Sequence, residues 1–215
     1  MGLTELVFLL DKSGSMGGLE EDTIGGYNAL LADQKKLEGR CRVTTVLFDH
    51  GYHLLHDRVD LAAVQPLTRA EYQVGGSTAL LDAMGLTIQR IKAEQEPTAD
   101  GDAARQVMFV IITDGLENSS REFSVERVKA LVEEAKDKHG WEFVFLGANM
   151  DAIATAGQYG IGADRAQSFH ADPRGIALNF AVMSETVAAY RQTGQVQGDW
   201  RRKIARDYKQ RSPRP

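Results

Sequence analysis

Apolar positions along the chain come in short runs that alternate with stretches of helical period. Leu6-Val7-Phe8-Leu9-Leu10 is uninterrupted, as expected of a strand covered on both faces. Beyond a Gly/Ser loop, Ile24, Tyr27 and Leu31 share one face of a helix that ends near Gly39. Residues 43–48 predict the next strand. Residues 52–59 follow after only Asp49-His50-Gly51, a link suited to a hairpin and so to an antiparallel neighbour. Leu80, Met84, Thr87 and Ile91 form the stripe of a second helix, and residues 97–104 read as a polar loop. Residues 107–112 make the most apolar strand, expected at the centre of a sheet. Ser124 is placed to cap a helix that buries Val125, Val128, Val132 and Ala135. A strand over 143–146, a short helix from about Asp151 and an edge strand over 167–170 come next. Asp172-Pro173 then supplies an N-cap and a first-turn proline for a long helix with the stripe Ile176, Phe180, Met183, Val187 and Tyr190.

Strands alternating with helices predict an α/β fold. The expected form is a Rossmann-like, doubly wound, mostly parallel sheet of about six strands, with one antiparallel strand and helices on both faces. Ligands in such folds lie beyond the carboxyl ends of the strands, near the point where strand order reverses. The chemistry is therefore to be sought where strands give way to loops. No internal repeat and no second folded domain is evident.

Composition narrows the class. The chain of 215 residues is 43% hydrophobic and 26% charged, ordinary for a globular domain and against a disordered or fibrous one. Its net charge of −5 argues against a chain-wide nucleic-acid footprint. Cys41 is the one cysteine, so an internal disulfide is excluded, and its place at a strand start suits a small buried hydrophobe. No run approaches the length of a membrane span and no signal peptide is apparent, so a cytoplasmic domain is expected. Charge is uneven: from Arg201 onward there are seven basic residues and one acid, Asp207, so the last fifteen residues carry +6 and the rest −11. Residues 1–195 read as the folded domain and 196–215 as a basic, solvated tail, floppy or partly helical, with an arm for an acidic partner or a phosphate backbone as the sharper alternative.

Three expected strand-end loops carry the candidate chemistry. The first reads Asp11-Lys12-Ser13-Gly14-Ser15, the second Gly75-Gly76-Ser77-Thr78, and the third Thr113-Asp114-Gly115. They offer two carboxylates and three hydroxyls, all hard oxygen ligands with no thiolate or imidazole among them. That set selects Mg²⁺, with Mn²⁺ or Ca²⁺ as alternatives, over zinc or copper. Neutral hydroxyls close to the ion, with carboxylates held further out through water, would leave it short of negative charge and receptive to an acidic side chain from another protein.

These elements resemble the von Willebrand factor A domains and the related integrin inserted domains, whose metal-ion-dependent adhesion site is D-x-S-x-S, then a distant Thr, then a distant Asp. Asp11, Ser13 and Ser15 match the first element, Thr78 the second and Asp114 the third, and the resemblance in element order covers roughly residues 3–194. It implies that the Ser13, Ser15 and Thr78 hydroxyls touch Mg²⁺ directly while Asp11 and Asp114 act mainly through water. A partner's Asp or Glu carboxylate takes the remaining position. It further implies a soluble adaptor module, some relatives of which work beside AAA+ ATPases or stress-response complexes. Relatives also switch affinity by sliding the C-terminal helix, here residues 172–193; its apolar stripe suits either a sliding or a fixed helix.

Rival chemistries lack their residues. No P-loop, dinucleotide fingerprint or G-x-S-x-G elbow is present. A phosphoryl-transfer Asp like that of the haloacid dehalogenases needs a second Asp two residues on, where this chain has Ser13. His53 and His56, three apart on a strand, point to opposite faces and are poorly placed to share a metal. The expectation is a metal-dependent protein-binding module with no catalytic residues. The alternative is a metal-dependent hydrolase or phosphotransferase at the same site, with Glu117 as the nearby group able to activate water.

Overall fold

The computed structural model describes residues 2–95 and 104–212. Most of the expected polar loop at 97–104, and the last three residues, lie outside them. Six strands form one sheet: β1 (Thr4–Asp11), β2 (Cys41–Phe48), β3 (Tyr52–Asp60), β4 (Gln106–Thr113), β5 (Glu142–Ala148) and β6 (Ala166–Phe169). Their spatial order is β3-β2-β1-β4-β5-β6, with only the β2–β3 pairing antiparallel. From β1 the chain steps outward to β2, then returns to the other side of β1 for β4. Strand order therefore reverses between β1 and β4, the crevice where a doubly wound sheet binds its ligands. The α/β fold class expected from the sequence is the one observed.

The uninterrupted apolar runs have a simple cause. Leu6, Phe8 and Leu10 of β1 belong to one core cluster, and Val7 and Leu9 to the other, because successive side chains leave opposite faces. The first cluster is closed by α1 (Glu20–Lys35) and α5 (Pro173–Thr193), the second by α2 (Leu80–Gln95), α3 (Val125–His139) and α4 (Ala152–Gln158). Ser124 accepts from the Arg127 amide at 3.3 Å and Asp172 from the Gly175 amide at 2.8 Å, so both expected caps form. Helix α2 meets the Phe123 ring so closely that a methyl added at Gly85 would lie 2.2 Å from a ring carbon. Only glycine fits there. Helix α5 is held at its C-terminal half: Tyr190 donates to the Val107 carbonyl at 3.0 Å, and the buried Arg191 donates to the Gln34 carbonyl at 2.7 Å.

The basic C-terminal stretch departs from expectation in being packed onto the core, although a partly helical form was expected. Its residues form a further helix, α6 (Arg202–Arg211), that packs against β6 and α5. Trp200 and Ile204 are buried in the first core cluster, and the Trp200 indole donates to the Asp164 carbonyl at 2.8 Å. Arg201 donates to the carbonyls of Ala163 and Ala166, so it caps the β6 end of the sheet. Arg211 pairs with Asp172 and Asp207, and Tyr208 stacks on His170 at 4.7 Å. The solvated-tail reading is thereby corrected. Trp200, in the turn ahead of α6, and Ile204 and Tyr208 on it recur every four residues and lie against the core, while most of the cations face solvent.

Cys41 is buried, and burial pushes its thiol up to about 12, as befits a small core side chain. No helix among the described residues is long and apolar enough to cross a membrane.

Candidate metal centre

The five residues singled out by the sequence meet at the carboxyl edge of the sheet, above the β1–β4 crevice. Asp11 ends β1, where its buried carboxylate is held at both oxygens: one accepts from the Ser13 amide at 2.7 Å, the other from the Thr113 hydroxyl at 2.6 Å. Ser13 and Ser15 lie on the following turn with their hydroxyls 3.1 Å apart. Ser15, which is exposed, donates to one oxygen of Asp114 at 2.5 Å; the other oxygen of Asp114 is buried without a hydrogen-bond partner. Thr78 is buried just ahead of α2.

Gly115 reveals how tightly the hydroxyls converge. A methyl placed on it would lie 2.7 Å from the Thr78 hydroxyl, 3.2 Å from that of Ser15 and 3.5 Å from that of Ser13. Three hydroxyls from two distant loops thus face one small space between two carboxylates. Among the described residues no group of three His, Cys, Asp or Glu is arranged to hold a metal, so this centre differs from an imidazole or thiolate site.

The electrostatics are unsettled as the residues stand. Burial pushes the Asp11 carboxyl up, against the opposing hydrogen bonds from Thr113 and Ser13. Burial also raises Asp114, with the nearby Asp11 charge adding to the effect and the Ser15 hydrogen bond opposing it. The adjacent cation does not relieve them, because Lys12 is turned into a buried ion pair with Asp49 at 2.7 Å. An orphaned carboxylate oxygen beside converging hydroxyls fits a hard divalent cation.

Several positioning residues were not legible beforehand. Asn118 clasps Thr78: its side-chain oxygen accepts from the Thr78 amide at 2.9 Å and its own amide donates to the Thr78 carbonyl at 3.0 Å. Tyr72 donates to the Asp11 carbonyl from an irregular stretch that carries no periodic signal. Thr113 carried a weak one, as the polar residue closing an apolar strand. The loops are laced together by backbone bonds from Gly14 to Gly76 and from Gly75 to Lys12.

Glu117, the candidate water-activating group, is otherwise engaged. Its carboxylate accepts from the amides of Leu81, Ser119 and Ser120 and from the Ser120 hydroxyl, all within 3.0 Å. It caps the start of α2 and fixes the loop. His56 is buried on β3 against the Thr45 hydroxyl while the His53 side chain is mostly exposed, so the two do not converge.

No protein-family model and no curated protein sequence matches the chain. Solved structures do. A variant of the PilB minor pilin from Streptococcus sanguinis superposes with a TM-score of 0.62 at 11% identity, over 91% of this chain and 64% of the pilin. The von Willebrand factor type A protein from Catenulispora acidiphila gives 0.54 at 15% identity, over 87% of this chain and 43% of its own. The vWF domain of the type V pili tip protein Mfa5 from Porphyromonas gingivalis gives 0.60 at 14% identity, over 90% and 98%. The chain thus spans less than two thirds of the first two proteins and nearly all of the third. Its fold is that of a von Willebrand factor A domain.

Proposed function

We propose that this domain is a divalent-metal-dependent protein-binding module, in which Mg²⁺ held at the carboxyl edge captures an Asp or Glu carboxylate of a partner. The observation that carries the reading is the meeting of the Ser13, Ser15 and Thr78 hydroxyls around the Gly115 position, between Asp11 and the half-satisfied Asp114. The three hydroxyls would hold the ion directly, and the two carboxylates would balance its charge through water. A bound Mg²⁺ supplies a hard Lewis-acid position that takes up an oxygen ligand. Thr113 and Ser13 hold Asp11, and Asn118 holds Thr78, so the donors are ordered before any ion arrives. Ser15, the exposed member of the set, marks the side open to a partner.

A binding role is favoured over hydrolysis because Glu117 is saturated by four hydrogen bonds. Two of the structural neighbours are pilus proteins by their descriptions, which is consistent with contact between proteins. The partner is defined by its carboxylate; an AAA+ ATPase or a stress-response complex is the class that the family resemblance suggests.

Calorimetric titration with Mg²⁺, followed by capture of partners and elution with a chelator, tests the reading. Wild type binds Mg²⁺, releases its partner on chelation and hydrolyses no generic phosphoester, whereas Thr78→Ala loses both metal and partner. A wild-type protein that takes up no divalent ion, or that turns over a phosphoester through Glu117, overturns it.

A further inference from the structure

We infer that the partner's acidic residue is flanked by a bulky apolar side chain, which seats on Leu116 and Ile153. The inference rests on the metal-dependent reading above and adds the chemistry of the recognised segment. Among the described residues, Leu116 at 60% and Ile153 at 42% are the large hydrophobics left exposed. Singly, such residues are unremarkable on a surface. Their placement is what distinguishes them. Leu116 stands two positions beyond Asp114, separated from it by Gly115, the residue the three hydroxyls surround. Ile153 lies in the first turn of α4, which follows β5, and β5 is paired with β4 through Thr113 and Gly147. Both residues are therefore exposed in the segments that follow the carboxyl ends of two adjacent strands, Leu116 in the loop after β4 and Ile153 in the first turn of α4.

The loop bearing Leu116 is held by its polar neighbours, Glu117 and Asn118, through their hydrogen bonds to α2 and Thr78. The start of α4 is fixed by Asp151, which accepts from the Ala154 amide at 3.0 Å, and by Ser168, which accepts from the Ala152 amide at 3.2 Å. The two apolar groups are thus presented on held backbone, with little ordering left for a partner to drive. On the opposite, β1–β2 side the rim is polar: His50 is largely exposed beside Asp49, which is paired with Lys12. A segment that placed its carboxylate at the metal and an aliphatic or aromatic neighbour toward β4 and β5 would match both halves of this rim.

The test uses the full chain and short fluorescent peptides carrying one Glu flanked by Leu, Phe, Ser or Lys, with anisotropy read in Mg²⁺ and in chelator. Burying one such side chain predicts about tenfold tighter binding of the Leu- and Phe-flanked peptides than of the Ser-flanked one. Leu116→Ser and Ile153→Ser should each shrink that ratio while calorimetric Mg²⁺ affinity and circular dichroism stay as in wild type. Equal binding of all flanks by a wild type that does hold Mg²⁺ overturns the inference and spares the metal reading. So does an apolar preference that survives replacement of the peptide's Glu by Gln, or self-association of the protein that Leu116→Ser abolishes. Absence of Mg²⁺ binding by wild type, read separately in the calorimeter, overturns both.

Discussion

The Thr113 hydroxyl donates to the Asp11 carboxylate at 2.6 Å, joining the ends of β1 and β4 across 102 positions of sequence. The bond sits where strand order reverses, and it orients the one carboxylate that also anchors the Ser13 turn through the Ser13 amide. Strand pairing thereby becomes ligand geometry.

Removing that hydroxyl without changing shape should be costly. Thr113→Val leaves one oxygen of a buried carboxylate without its donor and is expected to lower stability by about 1–3 kcal/mol and to weaken Mg²⁺ uptake. Thr113→Ser keeps the donor and should stay close to wild type in both. Urea denaturation and calorimetry report the two effects independently.

Asp114 should behave as a residue held at the expense of stability. Burial and the neighbouring Asp11 charge disfavour its ionised form, and one of its oxygens has no partner. In chelator, Asp114→Asn is therefore expected to be at least as stable as wild type. With Mg²⁺ at a hundred times its dissociation constant the order reverses, since wild type gains about 2.7 kcal/mol and the variant gains little. Thermal melts with and without Mg²⁺ check both halves.

A different part of the sheet sets an acid response. His56 is buried against the Thr45 hydroxyl, and burial holds its imidazole below the usual value of 6.5. The folded state therefore binds fewer protons than the unfolded state when the pH falls through that value. Stability contributed by neutral His56 is present above it and declines on acidification, at up to about 1.4 kcal/mol per pH unit. Urea midpoints measured from about pH 7 to about pH 5 should fall less steeply in His56→Gln.

The C-terminal helix offers a contrast within one charged stretch. Ile204→Ala removes a buried side chain and should cost about 2–4 kcal/mol, whereas Arg206→Ala on the exposed face should stay within about 0.5 kcal/mol. Equal tolerance at both positions would show the stretch to be solvated after all.

Much of this molecule was legible in advance, and unevenly so. The apolar runs of β1 and β4, the caps at Ser124 and Asp172 and the stripe from Ile176 to Tyr190 are local patterns, each fixed by the period of its own element. The stretch from Arg201 was misjudged because charge density masked the fourfold spacing of Trp200, Ile204 and Tyr208. Tyr72 and Asn118 were missed because irregular segments carry no period, and their partners lie on other loops.

By itself the amino-acid order determined which positions were to be buried on both sides, that the strands would run mostly parallel, and which five oxygen-bearing side chains in and beside the loops were the candidates, although Thr78 stands just ahead of α2 and not at the end of a strand. Only the tertiary structure decided that the hydroxyls of Ser13, Ser15 and Thr78 face one space beside Gly115, that Lys12 turns away to Asp49, and that Glu117 is consumed as a cap. The reason is range. A burial period is written in neighbouring residues, whereas a contact between positions 99 apart, such as Ser15 with Asp114, exists only once register and packing have brought separate strands together.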